Sequence, residues 1–308
     1  MIYHLGVDAG FFSEYRSMID AMVFCRRKGI RFTLYSKDAN FAFEKGWTDY
    51  FEPFCEENGW DALARLNRRN PPSLRRILRE NPRNVKWWLK ARLGFAAAHI
   101  IAFFRYGGRV YLNDDVRLER DGNYLNEFRE IAAGTFHLNP ETEKACREMT
   151  AALGLPGIYT GCQIRAGDKT MESGLLSPSS YLEYIIEHGL PKDVFVLTDD
   201  YRCFECLEGK GLRLFTLCGQ EERGYVNRDF ISATKEVKKA TITRLLANIS
   251  VLRRADHFVG TVTTNPCLFL LATREKGNHL VDGRPSEISR YLGLTMFELG
   301  EVSGSSTC

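Results

Sequence analysis

The sequence predicts an α/β chain built of parallel, helix-covered sheets in two units. Three observations carry this. Short apolar runs alternate with segments of helical period, the pattern of β-α-β crossovers. Strand-like runs end in small clusters of Gly, Asp or Thr just ahead of a helix signal. The 308 residues, 44% of them hydrophobic, are enough for two cores.

The elements follow in order. Ile2 to Val7 reads as a strand ending in Asp8-Ala9-Gly10. Phe11 to Arg27 reads as a helix, because Met18, Ala21, Met22 and Cys25 recur at helical spacing and Gly29 supplies a stop. Arg31 to Ser36 is the second strand of this unit, whose first crossover holds a glycine turn but no full G-x-G-x-x-G. Trp47, Tyr50, Phe51, Phe54 and Trp60 are expected to pack a short helix cluster. Leu93 to Tyr106, Asp121 to Ala133 and Asn139 to Leu153 read as helices, with Pro140 suited to a first turn. Gly154-Leu155-Pro156-Gly157 marks the expected boundary between a unit of residues 1–154, with a basic helical region at 61–92, and a unit of residues 155–302; residues 303–308 read as a tail. In the second unit Gly157 to Arg165 is a strand, and Ser177-Pro178 opens a helix to about His188. Asp193 to Thr198 is a buried strand ending in Asp199-Asp200, and Arg213 to Leu217 is another. A helix over Thr241 to Arg254 leads to a short strand, His257 to Gly260; Thr263-Thr264-Asn265-Pro266 then caps a helix to about Arg274.

Composition narrows the function classes. A net charge of +3 and the lack of a recognisable motif argue against a nucleic-acid binder. Charge is unevenly spread: Arg65 to Arg92 holds ten Lys or Arg against one acid, Glu80, while the remainder carries 32 basic and 38 acidic residues. With Trp87-Trp88 inside it, this stretch fits an interfacial segment near anionic lipid, a site for an anionic acceptor, or a solvated helical face over buried tryptophans. Nine cysteines, scattered singly, point to a reducing compartment, and Cys203-x-x-Cys206 has no second pair to complete a zinc set. No basic leader and no apolar run of signal or membrane-spanning length is apparent, so a cytoplasmic protein, at most peripheral to a membrane, is expected.

The chemistry concentrates in Cys162 to Lys169. Here a strand breaks at Gly167 and leaves Arg165 and Lys169 four residues apart, with Asp168 beside the second. Strand carboxyl ends are where open α/β sheets bind ligands, and a guanidinium fork with a point charge suits a pyrophosphate. Arg165 has the alternative of a salt bridge to Asp168 or Asp199, and Lys169 that of a solvated loop. Thr263, Thr264 and Asn265 offer hydroxyls and free N–H groups to a phosphate, or merely cap their helix. Asp199 and Asp200 end a strand; they either hold a ribose or orient Arg165. Gly10 and Phe11 read either as the opposite wall of a cleft between the two units or as a routine β-α turn. Neither Asp199-Asp200 nor Asp114-Asp115 is a D-x-D, and no metal is expected beside a cationic pyrophosphate set. His257 reads as structural.

Three blocks resemble α1,6-fucosyltransferases and related fucosyltransferases. Gln163 to Lys169 is similar to their His-Val-Arg-Arg-x-Asp-Lys segment, and Val194 to Asp200 to their strand ending in Thr-Asp-Asp. Val251 to Asn265 is similar to Phe-Leu-Ser-Gln-Ala-Asp-Phe-x-Val-x-Thr-Phe-Ser-Ser-Gln. Gly10-Phe11-Phe12 and Gly46 to Phe51 match family segments more loosely. The resemblance, strongest over residues 158–275, implies a GT-B-like fold with two Rossmann-type domains facing a cleft. It implies inverting, metal-independent transfer of fucose from GDP-fucose, a donor substrate rather than a cofactor, to a glycan acceptor. Arg165 and Lys169 would then meet the pyrophosphate. The family glutamate that would be the general base lies four residues beyond the lysine; here the nearest acid, Glu172, lies three beyond Lys169 and is either that base or an exposed loop acid. Gln163 stands at the family histidine, Ala166 at the second family arginine, and Asn248 at an aspartate near the guanosine. These changes also admit a non-catalytic nucleotide-binding module, or a transferase using another nucleotide sugar.

Overall fold

The computed structural model of the chain describes residues 1–6, 8–67, 78, 83, 85–167, 176–294 and 299. The chain forms two compact units: Met1–Glu119 with Gly134–Phe136, and Arg120–Ala133 with His137–Cys308.

The first unit begins with the expected crossover. Strands β1 (Ile2–His4) and β2 (Thr33–Tyr35) pair in parallel, Ile2 opposite Thr33, and are joined by α1 (Phe11–Lys28). Both strands are shorter than the apolar runs in the sequence. Beyond His4, Leu5 still donates its N–H to Tyr35 O, but Val7 lies outside the described residues. α1 turns Phe11, Tyr15, Met18 and Ile19 inward at helical spacing. Phe11 and Tyr15 join Phe41, Trp47 and Phe51 in one aromatic cluster, with the Trp47 and Phe51 rings stacked at 4.3 Å. A polar network that no sequence pattern signals holds β1 in place. The buried His4 ring bonds Asn67 O at 2.9 Å and the Asp38 carboxylate, while Asn67 and Asn113 side chains donate to Ile2 O and His4 O. Two helices follow, α2 (Asp61–Leu66) and α3 (Val85–Tyr106). α3 starts before the expected Leu93, because Val85 to Arg92 contains only residues that a helix tolerates, with neither Gly nor Pro.

In the second unit, α4 (Tyr124–Thr135) and α5 (Pro140–Ala151) precede a five-stranded sheet. In chain order this part comprises β3 (Thr160–Ile164), α6 (Pro178–Glu187), β4 (Asp193–Thr198), α7 (Tyr201–Glu205), β5 (Arg213–Phe215), α8 (Asn227–Ser232), α9 (Lys235–Arg254), β6 (His257–Gly260), α10 (Asn265–Thr273), β7 (Asn278–Leu280) and α11 (Ile288–Gly293). The strands lie in the order β5-β4-β3-β6-β7, all parallel. Their central members are buried on both faces, which explains why they read as continuous apolar runs. Cys162, Ile164, Val194 and Val196 pack against Tyr181, Leu182 and Ile185 of α6. α9 begins at Lys235, ahead of the expected Thr241, because Thr234 caps it by accepting the Val237 N–H. The sequence suggested a division at 154/155, whereas the compact units part at Glu119. α5 belongs with the later sheet because it lies on α9: Lys239 Nζ reaches Glu141 Oε1 at 2.9 Å and Cys146 Sγ donates to Thr243 O.

Candidate functional site

The order of the sheet selects a place for ligand. The chain runs outward from β3 through β4 to β5, then returns to the other side of β3 at β6. The crevice outside the carboxyl ends of β3 and β6 is therefore the topological switch point, where open α/β sheets take their ligands. Arg165 follows β3 there, and Thr261 to Thr264 follow β6.

The parallel register explains what surrounds Arg165. Ile164 lies opposite Thr198, so the next residues, Arg165 and Asp199, leave the sheet side by side. Arg165 donates from Nη1 to Asp199 Oδ2 at 2.5 Å, the second of the two ion pairs the sequence left open for it. The same carboxylate accepts the Ala166 N–H at 2.8 Å and the Tyr225 N–H at 2.9 Å. The guanidinium lies over the Tyr225 ring, 5.1 Å from its centroid. Both charged side chains are largely covered, 19% exposed for Arg165 and 16% for Asp199. Gly167 makes this close assembly feasible. It has a φ of 63°, and a Cβ there would lie 2.4 Å from Tyr225 O and 2.9 Å from Asp199 Oδ2. Asp199 is thus paired with Arg165 and with two backbone N–H groups. Asp200 is used differently: its carboxylate caps α7 through the Arg202 N–H and pairs with the Arg202 guanidinium. That hydrogen bond to Arg202 holds the Asp200 carboxyl below the usual carboxylate range, despite its burial.

On the β6 side, Thr264 is the N-cap of α10; its hydroxyl accepts the Cys267 N–H and donates to Gln163 Oε1 at 2.9 Å. Gln163, where the resembling family has histidine, therefore ties β3 to the start of α10 across the switch point. The Thr261 and Thr263 hydroxyls are 3.2 Å apart and buried, and Asn265 opens the helix. Asn248, on α9, is buried; its Nδ2 donates to Arg244 O, and its Oδ1 has no hydrogen-bond partner among the described residues. In the first unit, Gly10 is the N-cap of α1, while the Phe11 ring belongs to the aromatic core, so its side chain is not exposed to line a wall. Asp168, Lys169 and Glu172 lie outside the described residues, as does the 303–308 tail and much of the basic 61–92 region.

Tyr225 is the residue that the sequence did not single out. It follows Gly224, whose φ is 105°, in a loop tied to the end of β4 by the Gly224 N–H to Asp199 O bond of 2.8 Å. An aromatic residue after a glycine was the only local signal. Cys162 and Cys267 are buried, and burial pushes both thiols up, which removes them as nucleophiles near neutral pH. Among the described residues, one group brings three possible metal ligands together: His99, Asp114 and Asp115. Its close approaches have protein partners, His99 Nε2 bonding Asp114 Oδ1 at 3.1 Å and Asp115 Oδ2 accepting the Leu112 N–H. It lies in the first unit.

The chain matches solved structures in fold. A crystal structure of NodZ α-1,6-fucosyltransferase soaked with GDP-fucose aligns over 89% of this chain and 92% of its own, at a TM-score of 0.53 and 13% identity. The fucosyltransferase NodZ from Bradyrhizobium aligns over 88% and 91%, at 0.55 and 13%. NodZ co-crystallised with GDP gives 0.52, again at 13% identity. No protein-family model matches the chain, and no curated protein sequence matches it. The fold is therefore α/β and GT-B-like, Rossmann-like in the second unit, the fold of these fucosyltransferase structures.

Proposed function

We propose that the chain is a glycosyltransferase that moves fucose from GDP-fucose to a glycan hydroxyl, with inversion and without a metal. The observation that carries this reading is the guanidinium of Arg165, fixed by Asp199 and Tyr225 at the switch point of the sheet. The likeness in fold to the NodZ fucosyltransferases and the three ordered blocks support it.

The chemistry runs as follows. As the acceptor oxygen bonds to the anomeric carbon, the bond from that carbon to the β-phosphate oxygen breaks and negative charge grows on GDP. Arg165 receives that charge through its fork, together with Lys169 and the backbone N–H groups at the start of α10. Glu172 takes the acceptor proton from the face opposite GDP. Asn248 Oδ1, buried and lacking a described partner, would accept from a donor group of the nucleoside.

The test is transfer from GDP-fucose to a panel of glycans in EDTA, with native chain, Arg165→Ala and Glu172→Gln. Losing a charge-assisted contact in the transition state should cost Arg165→Ala roughly a hundredfold or more in rate at an unchanged circular dichroism spectrum. Glu172→Gln should lower kcat while leaving GDP affinity intact. Native-rate transfer by Arg165→Ala would overturn the assignment. GDP binding with no transfer or hydrolysis would favour a non-catalytic module, and turnover with a different nucleotide sugar alone would reassign the donor.

A further inference from the structure

The outward side of α3 is inverted relative to an ordinary surface helix. The helix turns Phe95, Ala98 and Ala102 into the first unit. About half a turn away on the wheel, at spacings of four, seven, eleven and fifteen residues, stand Leu89, Leu93, Ala96, Ile100 and Phe104. Those positions face water on a surface helix and normally carry charge. Here Leu93 is 70% exposed, Ile100 59% and Phe104 80%. Single exposed apolar residues need no explanation, but a continuous ridge along about four turns does.

Charge indicates what covers it. Val85 to Tyr106 contains no Asp or Glu. Lys86 and Lys90 stand exposed at the amino-terminal end of the ridge, and Arg83 is exposed just before the helix. Cations at a helix amino terminus oppose the helix dipole, so local helix energetics does not account for them. An apolar ridge with a purely cationic end is complementary to a layer that is apolar below and anionic at its surface. No described helix is long and apolar enough to cross a membrane, so α3 matches a helix that lies in the interface rather than one that spans it.

We propose that this face of α3 docks the protein on an anionic lipid surface, with Leu93, Ile100 and Phe104 among the acyl chains and Lys86 and Lys90 at the headgroups. In a symmetric pair, the same face of a second copy would bring the cations of the two helices together with no acid on either helix to oppose them. This docking is independent of the glycosyl-transfer reading.

Co-sedimentation with vesicles tests it, using phosphatidylcholine alone or mixed with phosphatidylglycerol. The native chain should bind the mixed vesicles and lose most of that binding at high salt. Leu93→Glu with Phe104→Glu should abolish binding, and because both positions are exposed the fold should be kept. Lys86→Glu with Lys90→Glu should weaken binding to the anionic vesicles by about tenfold or more. None of these variants should change GDP affinity. The proposal is overturned if native chain binds anionic vesicles no better than neutral ones. It is equally overturned if sedimentation equilibrium shows a dimer that the Leu93 and Phe104 changes dissociate while vesicle binding persists.

Discussion

One carboxylate, that of Asp199, accepts from the Arg165 guanidinium, the Ala166 N–H and the Tyr225 N–H. Its neighbours were legible before the structure, because both strands end in the same apolar-to-charged step. The loop that closes over Arg165 was not, since Tyr225 arrives from a segment without periodic pattern. Asp199→Asn would set an amide donor against N–H donors and leave Arg165 without its counter-charge. It should cost about 2–3 kcal/mol by urea denaturation and weaken GDP binding in parallel. Gly167→Ala tests the backbone. With a left-handed φ and a Cβ contact of 2.4 Å to Tyr225 O, it should destabilise by roughly 1–3 kcal/mol and displace the 224–225 loop. A variant as stable as native protein would show that the close approach of the two loops is not needed.

Among the elements, α9 and β7 show how a helix end and a sheet edge are secured by residues without a sequence signature. The buried Arg274 donates to Leu252 O, Arg253 O and Ala255 O, the unsatisfied carbonyls at the end of α9. Burial lowers its pKa, but the three carbonyls hold the cation in place. Arg274→Met should therefore cost about 2–4 kcal/mol in thermal or urea unfolding, although it fits the site in length. The sequence marks Arg274 only as the end of a helix, because its role depends on a contact about twenty positions away. At the sheet edge, His257 Nδ1 lies 3.0 Å from His279 Nε2, with His188, the Tyr184 ring and Arg274 nearby. Burial first, then repulsion by positive charge on His257, His188 or Arg274, lowers the His279 pKa. Well above about pH 6.5 neither folded nor unfolded His279 binds a proton and the group is silent. As pH falls below that value the unfolded chain protonates more readily, so stability is lost until the folded pKa is passed. His279→Gln should flatten this part of the curve relative to native protein between pH 7.5 and 5.5; an unchanged slope would place the titration elsewhere.

For the whole molecule, the α/β class and the parallel order of the strands could be read from the alternation of apolar runs with helical period, because buried parallel strands leave unbroken apolar runs. The division of the chain could not. α5 precedes the Gly-Leu-Pro-Gly turn in sequence, yet packs on α9, and only tertiary contact reveals that. The extent of α3 was likewise obscured, since its amino-terminal turns read as a basic stretch and its remainder as a separate apolar helix. If nucleotide binds the native state at the switch point, GDP at a hundred times its Kd should add about 2.7 kcal/mol of stability, visible as a rise in melting temperature with EDTA present. The central claim, that the cation after β3 grips a diphosphate, is tested most directly by calorimetric titration of GDP in EDTA into native chain, Arg165→Ala and Arg165→Lys. Native chain should bind; the alanine variant should bind about a hundredfold more weakly, with lysine between the two because a point charge replaces the fork. Equal affinity in all three would contradict it.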